Sequence, residues 1–235
     1  MEYAEMIRFE DWWLPEGEEH LQQYMLKVNK SVGGRLSYQR HKYELALRYT
    51  KLRRVALDIG AHIGLWSYQM TQDFMRVIAF EPVKEFRDCW RHNMEGKNVT
   101  LFHYALGHKE GFVRMRVRPP GSPGDDGRDP AAERSSLRMS VDDVGELVEM
   151  RTLDPFKFDH IDLLKLDCEG YELFILKGGI DTLLRNRPCV IVEQKPATGM
   201  TERYNVAALG AVEFLQKLGA KKRGSVQGDH VLSWD

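Results

Sequence analysis

Three apolar runs of strand length, each ending in carboxylates, constrain this chain more than any other feature. The first, Val55-Ala56-Leu57-Asp58-Ile59, breaks into a turn carrying Gly60 and Gly64. The second, Arg76-Val77-Ile78-Ala79-Phe80, closes on Glu81 and Pro82. The third, Ile161-Asp162-Leu163-Leu164-Lys165-Leu166, leads into Asp167, Cys168, Glu169 and Gly170. Runs this apolar, alternating with segments of helical character, form a mostly parallel sheet buried on both faces. The carboxyl ends of such strands share one edge, so Asp58, Glu81, Lys165, Asp167 and Glu169 are expected to arrive together.

The glycines allow φ values closed to other residues and let a ligand approach the backbone without meeting a Cβ. Glycines at strand-to-helix turns also serve purely structural ends. The spacing of Gly60 and Gly64 fits neither G-x-G-x-x-G nor a P-loop, which disfavours a nicotinamide dehydrogenase. Glu81, one strand-helix-strand step after Asp58, stands where a carboxylate accepts both hydroxyls of a ribose; it equally suits the cap of a helix opening at Pro82.

The other elements follow from periodicity. Helices are expected over residues 65–74, 83–93, 173–186 and 206–218, further strands at 99–107, 111–117, 147–153 and 189–193, and an antiparallel pair near 220–223 and 231–234 at the sheet edge. Residues 1–50 read as a helical, aromatic cap ahead of a catalytic domain spanning 51–235. The cap is either a packing layer or a lid, with Tyr38, Arg40, His41 and Tyr43 as candidates to face the cleft. Between Arg118 and Ser140 lie Pro119, Pro120, Gly121, Pro123, Gly124, Gly127 and Pro130, a density of breakers that predicts a long flexible insertion loop. Arg114, Arg116, Arg118, Arg128, Arg134 and Arg138 form either a basic rim for an anionic substrate or the solvated complement of Asp125, Asp126 and Asp129.

Composition excludes several functions. With 34 basic and 35 acidic side chains the formal charge is -1, so no surplus field attracts nucleic acid or anionic lipid. No apolar run approaches the roughly 20 residues of a membrane span, and a cytoplasmic location is expected. Cys89, Cys168 and Cys189 are odd in number and lack C-x-x-C spacing, so they read as small buried hydrophobes. Asp167, Glu169 and Glu193 are hard oxygen ligands, which leaves a divalent metal possible but not predicted.

Taken together, the motifs resemble the FkbM family of S-adenosylmethionine-dependent methyltransferases. The likeness is carried by Leu57-Asp58-Ile59-Gly60-Ala61-His62-Ile63-Gly64, Phe80-Glu81-Pro82, Tyr104-Ala105-Leu106-Gly107, Arg151-Thr152-Leu153-Asp154, Leu164-Lys165-Leu166-Asp167-Cys168-Glu169-Gly170-Tyr171-Glu172 and Ile191-Val192-Glu193. His62 stands where the family usually has Asn. The resemblance implies a class I, Rossmann-like α/β fold: a mostly parallel sheet of about seven strands with helices on both faces and a reversed last strand.

It further implies that S-adenosylmethionine binds with its methionine end over Asp58, Gly60, Ala61, His62 and Gly64, backbone N–H groups facing the carboxylate and an acid near the ammonium. Glu81 would take the ribose, Tyr104, Ala105 and Leu106 the adenine, and Asp167 would sit beside the sulfonium. The implied acceptor is a hydroxyl on a sugar, glycan or natural product, with a nitrogen of RNA or protein, or a non-catalytic cofactor-binding module, as alternatives. The candidate bases are Asp167 and Glu169, then Glu193, with His62 and His108 further out. Lys165 would either lower the acceptor's pKa or hold Asp167 in place.

Overall fold

In a computed structural model, residues 6–118, 138–142, 145–195 and 204–234 are described. Their centre is a seven-stranded sheet. Five of its strands pair with one another in parallel: β5 (Val55–Ile59), β6 (Arg76–Phe80), β7 (Val99–Phe102), β12 (Ile161–Leu166) and β13 (Cys189–Glu193). β14 (Lys221–Val226) and β15 (Asp229–Ser233) close one edge as a hairpin. The order is β14-β15-β13-β12-β5-β6-β7, with β15 antiparallel to β13. The expected reversed last strand is therefore present.

Period-two alternation along the strands builds two cores. Leu57, Ile59, Leu164, Leu166, Val190 and Val192 face α5 (Glu172–Lys177), α6 (Ile180–Asn186) and α7 (Gly210–Lys217). Ala56, Val77, Leu163 and Ile191 face α2 (Arg40–Leu47) and α3 (Leu65–Met70). α4 (Lys84–Asn93) connects β6 to β7. Several expected elements are shorter than their periodicity suggested. The helix read as 173–186 is broken at Gly178-Gly179, where a Cβ at Gly178 would lie 1.9 Å from the carbonyl oxygen of Gly107. Local pattern carries no trace of that close approach.

The strand read as 99–107 also divides, because its end leaves the main sheet. β8 (Ala105–Leu106) joins a second sheet with β9 (Gly111–Arg118), β10 (Arg138–Asp142) and β11 (Glu146–Arg151), in the order β10-β9-β11-β8. β9 pairs with two strands: β10 and β11, not only the return strand expected near 147–153. The expected loop lies almost wholly at 119–137, outside the described residues, as do Arg128 and Arg134.

The first fifty residues are not simply helical. β1 (Met6–Phe9) pairs with β2 (Trp12–Pro15), so Trp12 and Trp13 sit in a strand. α1 (His20–Val28) follows, then the short pair β3 (Ser31–Val32) and β4 (Arg35–Leu36), then α2. The aromatic pair before Pro15 alternates burial as a strand does, Trp12 inward with Leu14. Trp12, Leu14, Leu21 and Met25 are buried in one cluster with Ala61, Ile63 and Leu65 of the glycine turn. The Asn93 side chain at the end of α4 locks this arrangement: its Oδ1 accepts from the Trp13 backbone N–H at 2.8 Å, and its Nδ2 donates to the carbonyls of Trp13 at 2.9 Å and Ile63 at 2.8 Å.

Candidate active site

The carboxyl ends of β5, β6 and β12 open onto a cleft. Gly64 and Glu81 lie outside its lining, while Gly60, Ala61, His62, Tyr104, Ala105, Leu106, Lys165, Asp167 and Glu169 line it. Asp58 does not. Alternation turns it toward α3, fully buried, where its Oδ2 accepts from the Ser67 hydroxyl at 2.6 Å. The Trp90 indole N–H donates in turn to Ser67 Oγ at 3.0 Å. Lys165, the register neighbour of Asp58 on β12, places Nζ 3.2 Å from Asp58 Oδ1 and donates to the Gly60 carbonyl at 2.6 Å. Asp58 and Lys165 thus form a buried pair that braces the turn from below, and the Asp58 carboxylate does not face the cleft in which the resemblance set it beside the ligand's ammonium.

The turn passes directly over the end of β12. Gly60 has φ +76, and a Cβ there would sit 2.0 Å from the Asp167 carbonyl oxygen. Gly64 has φ +95, and a Cβ there would sit 2.9 Å from the Trp90 ring. Four backbone donors of the turn are committed within the protein: Gly60 and Ala61 N–H to the Phe80 carbonyl, Gly64 N–H to the Ala61 carbonyl, and His62 N–H to Glu81 Oε2. The N–H groups of Gly60, Ala61 and His62 thus tie the turn to Phe80 and Glu81 instead of forming the implied row toward a ligand carboxylate.

Glu81 is fully buried, its Oε2 accepting from His62 N–H at 2.8 Å and its Oε1 from Val83 N–H at 2.9 Å. Burial outweighs these bonds and raises its pKa to about 7. Each oxygen keeps a second lone pair. α4 begins only at Lys84 and has no side-chain cap, so Glu81 does not take the helix-capping role that Pro82 suggested. His62 has φ +52, a region in which Asn and His are enriched, so a shared tolerance of left-handed backbone accounts for His in place of Asn. Its ring lies against Phe86, centroids 3.9 Å apart.

The carboxylates sort by position. Asp167 lines the cleft; burial pushes its pKa up, but Lys165, Lys195 and Lys42 outweigh burial and hold it below the usual range. Glu193 is 6% exposed, lies outside the cleft lining and contacts the Lys195 ammonium. Burial and then Asp167 push its pKa well up, against the pull of Lys195. Lys42 and Asp229, 2.6 Å apart and both buried, extend this network to α2 and β15. Among the described residues no group of His, Cys, Asp or Glu is arranged to hold a metal ion. His108 is exposed beside Phe174, away from the cleft lining.

Glu169 has φ +53, and Glu172 holds that turn by accepting from the N–H groups of Cys168 at 2.8 Å and Gly170 at 3.2 Å. Asp154 proves structural, accepting from Asp181 and Thr182 N–H at the start of α6. Tyr104 lies under the Arg151 guanidinium at 4.1 Å. Of the cap residues expected to face the cleft, only Tyr38 does. Arg40 pairs with Glu44 at 3.0 Å, His41 meets Gln227, and buried Tyr43 donates to Asp73. Cys89 and Cys189 are buried as expected, whereas Cys168 lines the cleft. Leu21, Met115 and Val141 also line it; periodicity marks them as core and gives no sign of a ligand wall.

An edge-on cleft above a sheet of this order, with a reversed strand beside β13, defines a class I methyltransferase fold. The sequence profile of the methyltransferase FkbM domain matches residues 58–222, and the chain belongs to that family. Similar solved structures include a methyltransferase FkbM from Methylobacillus flagellatus KT, 16% identical with a TM-score of 0.47. The alignment covers 82% of this chain and 49% of that one, so this chain spans about half its length. A putative O-methyltransferase from Klebsiella pneumoniae is 15% identical with a TM-score of 0.46, over 93% of this chain and 90% of that one. No curated protein matches the chain. Among the described residues no helix is long and apolar enough to cross a membrane.

Proposed function

We propose that the chain transfers a methyl group from S-adenosylmethionine to a hydroxyl of a sugar, glycan or other natural product. The observation that carries this reading is a single cleft running from Tyr104, Ala105 and Leu106, past Gly60 to His62, to Asp167 and Glu169. The donor set suits the cofactor. Glu81 offers one remaining lone pair on each oxygen to a pair of adjacent hydroxyls, and the Tyr104 to Leu106 segment offers an apolar surface to a base. Ionised Asp167 complements a positive centre at the far end.

When bound, the cofactor supplies a methyl on a positively charged sulfur, which departs as a neutral thioether without acid assistance. The chain's tasks are alignment and proton removal. Holding acceptor oxygen and methyl in line supplies much of the acceleration. As the new O–CH3 bond forms, the hydroxyl proton passes to a cleft-facing carboxylate, Asp167 or Glu169. Glu193, paired with Lys195, supports that site from behind, and Lys165, paired with Asp58, lies in the cleft wall. The test is calorimetry with S-adenosylmethionine and S-adenosylhomocysteine, followed by transfer of labelled methyl to a hydroxyl panel. Wild type binds both and Glu81→Ala loses at least about tenfold. No binding by wild type, or equal binding by Glu81→Ala, would sink the proposal.

A further inference from the structure

Beyond the residues assigned to the cofactor, the cleft is walled by Leu21 and Tyr38 of the N-terminal segment, Met115 and Val141 of the second sheet, and Tyr171. We propose that Tyr38 positions the acceptor by donating its phenolic O–H to the acceptor's hydroxyl oxygen, and that the acceptor is an uncharged hydroxyl compound with a flat apolar body. This rests on the methyltransferase reading above.

Tyr38 is anchored on several sides. Its carbonyl accepts from the Gln69 side-chain amide at 2.7 Å, and its ring packs on Tyr24, centroids 4.8 Å apart. The next residue, Gln39, sits in left-handed backbone at φ +51, its Oε1 accepting from the Trp66 indole N–H at 3.2 Å. That places the Gln39 amide to donate to the Tyr38 phenolic oxygen at 3.1 Å. With its oxygen receiving one hydrogen bond, the phenol still has its own proton to donate. Burial first, then Asp167 and Glu193, push its pKa well up, so the donor persists at every physiological pH.

Tyr38 lines the same cleft as Asp167 and Glu169, the carboxylates to which the acceptor proton would pass. A donor on one lone pair of the attacking oxygen fixes the direction of the other, while the acceptor's own proton passes to a carboxylate. The acceptor's body must then lie against Leu21, Met115 and Val141, with the Tyr171 ring, held edge-on to Tyr204 at 5.2 Å, as an aromatic face. Such walls bury a flat apolar molecule and fix it through a few polar contacts.

The experiment loads the full chain with S-adenosylhomocysteine and titrates 2-naphthol, naphthalene and glucose 6-phosphate against wild type and Tyr38→Phe. The variant keeps the ring on Tyr24, and its homocysteine-product affinity should stay within about twofold of wild type. 2-Naphthol should bind wild type and weaken about tenfold in Tyr38→Phe, as loss of one hydrogen bond predicts, whereas naphthalene should bind both equally. Equal 2-naphthol affinity for both proteins, no 2-naphthol binding, or tighter binding of glucose 6-phosphate overturns the inference. Failure of wild type to bind S-adenosylhomocysteine overturns the methyltransferase reading instead.

Discussion

Lys165 and Asp58 show how a residue at a functional rim can serve the scaffold beneath it. Their ammonium and carboxylate are buried and 3.2 Å apart, so removing one partner strands the other charge. Lys165→Met should therefore cost about 3–5 kcal/mol of folding stability, measurable by denaturant titration; an unchanged midpoint would return Lys165 to a purely catalytic role. Glu81 carries a pH signature. Its pKa rises from the ordinary carboxylate value of about 4.5 to about 7 in the folded chain, so the folded state binds more protons than the unfolded between those limits. Stability from this group is greatest below about pH 4.5 and falls as pH rises through about 7. Cofactor binding runs the other way, because two ribose hydroxyls need both oxygens as acceptors. S-adenosylhomocysteine affinity should climb as pH rises through about 7 in wild type and stay flat in Glu81→Gln. At His62, the left-handed backbone adds a steric cost to the chemistry: His62→Asn should retain affinity, and His62→Leu should lose both affinity and stability. Equal affinity in all three would make the side chain a bystander.

The glycine turn works as an element because it is clamped from three directions. Lys165 holds it from below, Phe80 and Glu81 take its N–H groups, and Asn93 ties Ile63 to the N-terminal hairpin. Gly60→Ala would drive a Cβ to within 2.0 Å of the Asp167 carbonyl oxygen. Neither backbone can yield without pulling β5 from β12, so the variant should fail to give soluble folded protein, read by circular dichroism; a stable, cofactor-binding Gly60→Ala would show that the close approach is dispensable. The Asp167 to Glu172 stretch behaves likewise, with Glu172 closing a loop that sets Glu169 in left-handed backbone. Both motifs were legible in sequence as carboxylates followed by glycine. Which carboxylates face the cleft was not, since that depends on strand alternation and on which helix covers each face.

At the scale of the whole molecule, the N-terminal segment is part of the core. Trp12, Leu14, Leu21 and Met25 are buried against the glycine turn, and buried Lys42 reaches Asp229 on the last strand. Deleting residues 1–36 should therefore expose that cluster and abolish cooperative unfolding, followed by thermal denaturation; a truncated chain that melts like wild type would make the segment a detachable lid. The amino-acid sequence by itself determined the mostly parallel sheet and marked the strands that end in carboxylates, because apolar run length and terminal carboxylates are local properties. It also carried the family motifs. The tertiary structure alone decided that Asp58 lies beneath the turn, that the N–H groups of Gly60, Ala61 and His62 bond to Phe80 and Glu81, that Glu193 pairs with Lys195, and that Tyr38 enters the cleft. Apart from the Glu193 pair, each of these depends on a partner far away in the chain, and burial among those partners sets both the charge and the direction of a side chain.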